Sequence, residues 1–229
     1  MNKIGVIFDL DGVIVDTAKY HFLAWKDLAD QLGFEFTEAH NERLKGVSRV
    51  RSLEILLSIG KIEISEAKKQ AYLISKNEQY LEYIYKMGAD EILPGVNKLL
   101  NALDVLGIQY VLGSASKNAP LILKQVGLLH RFVDIVDGNS VSRAKPDPEV
   151  FLIGAKKLNL DTRQCVVFED AIAGVEAANA ANMISVGIGD KQTLKDAHFN
   201  FNDLTEIPED FFTSVISEKI FKKNEPKLY

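Results

Sequence analysis

Asp9 and Asp11 stand two residues apart in Phe8-Asp9-Leu10-Asp11-Gly12-Val13, directly after the apolar segment 4–8. Alternate side chains of an extended chain share a face, so both carboxylates would lie on the same side. Such a pair suits nucleophilic chemistry with its own proton carrier. One carboxylate attacks, and the other protonates the leaving oxygen or deprotonates the next one to attack. Packing alone does not explain them, because an ionised carboxylate buried without a partner is strongly disfavoured. Two plainer readings stay open: a turn or helix-cap aspartate, and a calcium loop. The loop needs a further Asp or Asn and a Gly at fixed spacing, a frame that Asp9-Leu10-Asp11-Gly12 lacks.

Three more groups have the same placement, just past a short apolar run. Ser114-Ala115-Ser116-Lys117-Asn118 follows the run 109–112 and opens a helical pattern, so it can offer hydroxyls and free backbone N–H groups to an anion. A helix cap by Ser116 or Asn118 explains that segment equally well. Lys145 lies among the turn residues after 133–136, where a solvated surface lysine is the ordinary expectation, and Glu169-Asp170 follows 165–168, where acids can simply cap a helix. Each is weak alone. Together they place an acid pair, a hydroxyl, a lysine and a second acid pair past the ends of four strands, the edge where an open α/β sheet gathers its ligands.

The elements that must position them follow from hydrophobic spacing. Runs at 4–8, 109–112, 133–136, 165–168 and 184–186 are too short for helices and rich in β-branched residues, which predicts buried parallel strands. Val96, Leu99, Leu100, Leu103 and Leu106 recur at helical spacing between Pro94 and Gly107, and segments 118–126 and 148–158 read the same way. Strands alternating with helices predict a doubly wound, Rossmann-like parallel sheet. After Gly189 only a last strand near 199–201 is expected, and the polar tail 219–229 reads as a frayed terminus.

About a hundred residues separate the first two strands, far more than a crossover needs, so a domain is inserted there. Its three apolar stripes are Ala18, Phe22, Trp25, Ala29 and Leu32; then Val50, Leu53, Leu56 and Leu57; then Ala67, Ala71, Ile74, Leu81 and Ile84. These predict a helical cap at 17–88 on an α/β core of 1–16 and 89–229, with the two crossings as a hinge.

The four strand-end groups are the core signature of the haloacid dehalogenase-like superfamily, which the sequence resembles up to about residue 190. It is similar in particular to the β-phosphoglucomutase family, through Asp16-Thr17-Ala18, Tyr20-His21-Phe22, Ala24-Trp25, Leu44-Lys45-Gly46-Val47-Ser48-Arg49 and Ser114-Ala115-Ser116-Lys117-Asn118. The resemblance implies a phosphate ester on Asp9, with Asp11 as general acid and base. Ser114 and Lys145 would hold the transferring phosphate, with Ala115 beside them. It also implies Mg2+ held by Asp9, the Asp11 carbonyl and Asp170, with Glu169 either touching the ion or standing behind it. Lys45, Gly46, Val47, Ser48 and Arg49 would grip the second phosphate of a sugar bisphosphate, opposite Ser116, Lys117 and Asn118. Thr17, His21 and Lys76 would stand near Asp11, and Trp25, grouped with them, is expected to pack the cap rather than touch sugar. A sugar-phosphate phosphatase and a non-catalytic sugar-phosphate binder are the alternatives, the second disfavoured by the intact acid pair.

The remaining expectations come from composition. With 229 residues, 47% of them hydrophobic, the chain can bury a substantial core, and its net charge of −5 offers no broad field for nucleic acid. No run approaches the ~20 apolar residues of a membrane span. Cys165, the single cysteine, sits in an apolar run as a structural thiol and allows no internal disulfide. A cytoplasmic monomer acting on a phosphorylated sugar is expected, without nucleic-acid or membrane partners.

Overall fold

In this computed structural model residues 3–216 are described; the tail expected to fray from 219 lies outside them. Six parallel strands make the sheet: β1 (Gly5–Phe8), β2 (Tyr110–Gly113), β3 (Ile135–Val136), β4 (Cys165–Glu169), β5 (Ile184–Ile188) and β6 (Phe199–Phe201). Their order is β3-β2-β1-β4-β5-β6, so the chain reverses direction across the sheet between β1 and β4, where a doubly wound fold opens its crevice. Register brings the strand ends level, because Phe8 pairs with Leu112 on one side and with Phe168 on the other. Asp9 and Glu169 therefore stand one step past the same row, and Ser114 two steps past it.

Both sheet faces are covered, which is why the strands read as unbroken apolar runs rather than alternating ones. Val6, Phe8, Leu112 and Phe168 pack beneath α5 (Val96–Leu106) and α6 (Ala119–Gln125). Ile7, Val111 and Val167 face α7 (Glu149–Leu158) and α8 (Ile172–Ala180). Phe8 stacks on Phe168 with centroids 5.1 Å apart, fixing the two strands that carry the acids. Cys165 is buried there, and burial pushes its thiol up to about 12. The run 133–136 yields only the two-residue strand Ile135–Val136, although the Val133 N–H still donates to Tyr110 O and Asp134 O accepts the Leu112 N–H, both at 3.1 Å.

The segment between β1 and β2 is helical: α1 (Ala18–Leu32), α2 (Glu38–Glu42), α3 (Arg49–Gly60) and α4 (Glu66–Ile84). These helices form a cap with its own core of Trp25, Leu28, Phe36, Leu53, Leu56 and Leu73. Two of the expected stripes are corrected. Val50 on α3 is exposed, and α4 turns Ala67, Ala71 and Ile74 to solvent; the expected Ile84 is buried and Leu81 half-buried, and the buried face adds Leu73, Lys76 and Tyr80. The face is rotated because it carries a buried lysine, which apolar periodicity leaves out. The two crossings are paired with each other: Asp16 N–H donates to Glu91 O at 3.2 Å and Leu93 N–H to Ile14 O at 3.0 Å. Tyr20 and Lys19 of α1 both bond Glu91, tying the first cap helix to the returning crossing. No helix among the described residues is long and apolar enough to cross a membrane.

Candidate active site

At the end of β1 the Asp9 N–H donates to Phe168 O at 2.9 Å, continuing the ladder and aiming the carboxylate along the sheet's edge. Lys145 Nζ lies 2.5 Å from both Asp9 Oδ1 and Glu169 Oε1, and all three side chains are buried. Burial alone would lower the Lys145 pKa, but the two carboxylates outweigh it and hold the ammonium charged. Glu169 also accepts the Ala171 N–H at 2.9 Å, which fixes its orientation. α8 can approach only because position 174 is glycine: a Cβ there would stand 1.8 Å from Glu169 Oε1.

Asp9, Glu169 and Asp170 each bring a carboxylate oxygen within 4.8 Å of the others. One lysine cannot balance them. Burial, with the Lys145 charge opposing and that of Asp9 adding, lifts Glu169 to about 7. Asp170 is held well above the usual carboxylate range by burial and by Glu169 and Asp9. Buried carboxylates this close keep their charge when a cation joins them, and a set of hard oxygen donors suits Mg2+, Mn2+ or Ca2+ rather than a soft metal. The residues present therefore fit a divalent ion.

Asp11 reaches the same cleft. Burial first, then the Asp9 charge, raises it to about 7 against the pull of Lys145 and Lys76, and its Oδ1 has no hydrogen-bond partner among the described residues. A carboxyl titrating near neutrality can both give and take a proton. After β2, Ser114 is fully buried; its N–H donates to Val136 O at 2.9 Å and its Oγ accepts the Ser116 N–H at 3.0 Å. Ser116 Oγ in turn accepts the Asn118 N–H at 3.2 Å, so these hydroxyls shape the turn, and the Asn118 side chain caps no helix. Asn118 Nδ2 instead donates to Asn77 Oδ1 on α4 at 3.0 Å, bridging the strand-end loop to the cap.

From the cap, the loop before α3 lowers Lys45, Gly46, Val47, Ser48 and Arg49 into a cleft of about 300 Å³ that also contains Asp9, Asp11 and Ser114–Asn118. Ser48 Oγ accepts the Arg51 N–H at 3.3 Å and caps α3. Arg49 is half-buried with no carboxylate in salt-bridge range among the described residues, and burial lowers its pKa. A desolvated, unpaired guanidinium is a receptor for a bidentate anion. Lys76 is buried over the rings of Trp25 (4.6 Å) and Tyr80 (4.7 Å) and lies 2.8 Å from His21 Nδ1. Burial, then Lys76 and Arg49, hold His21 well below its ordinary range, so the ring meets the lysine amine as a neutral imidazole. Trp25 both packs in the cap core and lines the cleft. Two expected site residues stand behind the wall rather than in it: Glu169, and Thr17, which is fully buried.

Sequence reasoning overlooked Arg143 and Ala144, which line the cleft beside Lys145, and Glu149, whose carboxylate accepts the Ser142 and Arg143 N–H groups at 3.0 and 2.6 Å. Glu149 thereby anchors the loop that carries Lys145. The available signal was an acid four residues past the lysine at a helix start.

The family model for haloacid dehalogenase-like hydrolases matches residues 5–182. The chain is 44% identical over 194 residues to a β-phosphoglucomutase of Bacillus subtilis (strain 168), covering 84% of this chain and 86% of that one. It is 30% identical over 184 residues to a fructose-1-phosphate phosphatase of Escherichia coli (strain K12), covering 80% and 95%. Among solved structures, a β-phosphoglucomutase from Clostridium difficile superposes with a TM-score of 0.90 at 39% identity, covering 95% of this chain and 99% of that one.

Proposed function

The chain belongs to the haloacid dehalogenase-like hydrolase family, and from that premise we propose how it works as a β-phosphoglucomutase, interconverting β-D-glucose 1-phosphate and glucose 6-phosphate. The observation that supports this reading is the pairing of two anion-reading poles in one cleft. Lys145 and the Ser114–Asn118 turn lie beside Asp9 at the sheet edge, and the unpaired Arg49 descends from the cap. A reaction that transfers one phosphate while keeping another needs both poles.

In the proposed cycle Asp9 carries the phosphoryl group. The 6-hydroxyl of glucose 1-phosphate attacks that phosphorus, Asp11 takes the hydroxyl proton, and the Asp9–phosphate bond breaks to leave a 1,6-bisphosphate. The bisphosphate turns end for end with one phosphate held by Arg49 and by the Lys117 and Asn118 loop. Asp9 then attacks the 1-phosphate, and Asp11 returns its proton to the departing sugar oxygen, giving glucose 6-phosphate and restoring the phosphorylated enzyme. Lys145 and the Ser114 hydroxyl offset charge on the transferring group. Mg2+ is the ion we assign; Asp9, Asp170, the Asp11 carbonyl and Glu169 would hold it, and it would supply the positive charge that lets one anion attack another. Lys76, neutral His21 and Trp25 set the cap's inner wall, and Lys45 to Ser48 bring Arg49 down when residues 17–88 close on the paired crossings.

Closure also keeps water from the phosphorylated Asp9, which separates a mutase from its phosphatase relatives. We further assign a cytoplasmic monomer whose partner is the phosphorylated sugar. The test supplies β-glucose 1-phosphate, Mg2+ and a trace of the 1,6-bisphosphate, and measures glucose 6-phosphate against inorganic phosphate. Glucose 6-phosphate should dominate; predominant phosphate release would establish the phosphatase reading instead.

A further inference from the structure

We propose that the divalent cation reaches Asp9, Glu169 and Asp170 through a second, acidic opening, and not through the cleft that admits the sugar phosphate. The proposal rests on the metal reading above. A cavity of about 360 Å³ lies behind the cleft, walled by the first crossing and by the loops after β5 and β6. Ala18, Lys45 and Asp170 line both spaces, so they form the partition. Of the three clustered acids, Asp9 and Glu169 are buried and Asp170 alone keeps part of its surface open. Asp170 faces both spaces, so either route ends on it and the charge along each route must distinguish them.

Charge separates the two routes. Asp16, Glu42, Asp170, Asp190 and Asp203 line the rear cavity against Lys45 alone. The cleft carries six basic residues against three carboxylates. A low-dielectric passage lined by one sign concentrates ions of the other, so the cleft draws in phosphate esters and the rear cavity draws in cations. The rear acids are not a second metal site: Asp9, Glu169 and Asp170 form the acidic group close enough to share an ion among the described residues, and Asp190 is already taken by the Thr193 N–H and hydroxyl at 2.9 and 2.6 Å. Metal exchange then does not require the sugar phosphate to leave.

The test uses Mn2+ on the full chain, because it accepts the same oxygen ligands while Mg2+ sheds water too reluctantly to report its approach. Rapid-mixing electron paramagnetic resonance follows the loss of free Mn2+ at low ionic strength. Asp190→Asn keeps an oxygen for Thr193 and should slow association about threefold; Asp190→Lys should slow it further, and salt should erase both effects. The KM for β-glucose 1-phosphate at saturating metal should not move. Parental association rates in both variants, with Lys117→Glu in the cleft accelerating loading instead, would overturn the route. Equilibrium Mn2+ titration of Asp170→Ala tests the metal reading separately: undiminished affinity there removes the premise, whereas lost affinity with unchanged Asp190 kinetics removes only the route.

Discussion

Among single residues, Asp9 has the largest consequence. Its carboxylate is the nucleophile in our reading, so Asp9→Asn should cut turnover by at least about a thousandfold. It should do so without unfolding the protein, because Lys145 keeps Glu169 as a partner at 2.5 Å while the crowding of Asp9, Glu169 and Asp170 is relieved. Thermal melting of the metal-free variant should show a midpoint at or above the parent's. His21 gives a prediction with a definite sign. Its folded pKa lies well below that of the unfolded chain, so the stability it contributes is complete above about pH 6.5 and is lost as pH falls and the unfolded state takes up the proton first. One such group contributes a slope of about 1.4 kcal/mol per pH unit. His21→Gln should flatten the fall in stability between roughly pH 6.5 and 5; denaturant titrations with an unchanged slope would contradict the burial argument.

At the scale of elements, the site depends on strand ends arriving level and on the turn after β1. Gly12 has φ +76, and a Cβ there would stand 2.1 Å from Asp170 Oδ2. Gly12→Ala should cost roughly 1–3 kcal/mol of stability through backbone strain and push Asp170 out of the acidic group, weakening Mg2+ binding at least about tenfold by titration. Unaltered Mg2+ affinity would show that Gly12 does not set the Asp170 position. The strand-end convergence was legible because Asp9, Ser114 and Glu169 fall within two residues of the end of an apolar run, Lys145 lies in the loop that follows another, and parallel strands end on one edge. Phe199–Phe201 also forms where a last strand was expected. The buried face of α4 was not legible, since Lys76 occupies an apolar stripe that periodicity fills with alanines. The loop held by Glu149 was missed for a related reason: its order comes from side-chain bonds to backbone N–H groups, which leave no periodic trace.

Over the whole molecule, function depends on the cap and the sheet edge acting on one ligand. Arg49 contributes from the cap, while Asp9 and Lys145 remain fixed on the sheet. Arg49→Ala should leave phosphorylation of Asp9 by a small phosphate donor intact and weaken use of the 1,6-bisphosphate about tenfold to a hundredfold, the loss expected for one charged hydrogen-bonded contact. Steady-state kinetics at varied bisphosphate concentration would register it, and an unchanged KM would place the second phosphate elsewhere. The rear cavity lay beyond sequence reasoning because its wall joins the first crossing to loops after β5 and β6, segments that meet only in the folded chain.

The whole account requires a phosphoryl group on Asp9 during turnover. The most direct measurement is intact-protein and peptide mass spectrometry after acid quenching of the enzyme mixed with Mg2+ and glucose 1,6-bisphosphate. The account predicts one added phosphoryl group, confined to the peptide containing Asp9 and absent from Asp9→Asn. A phosphoryl group on any other residue, or continued mutase turnover by Asp9→Asn, would contradict it.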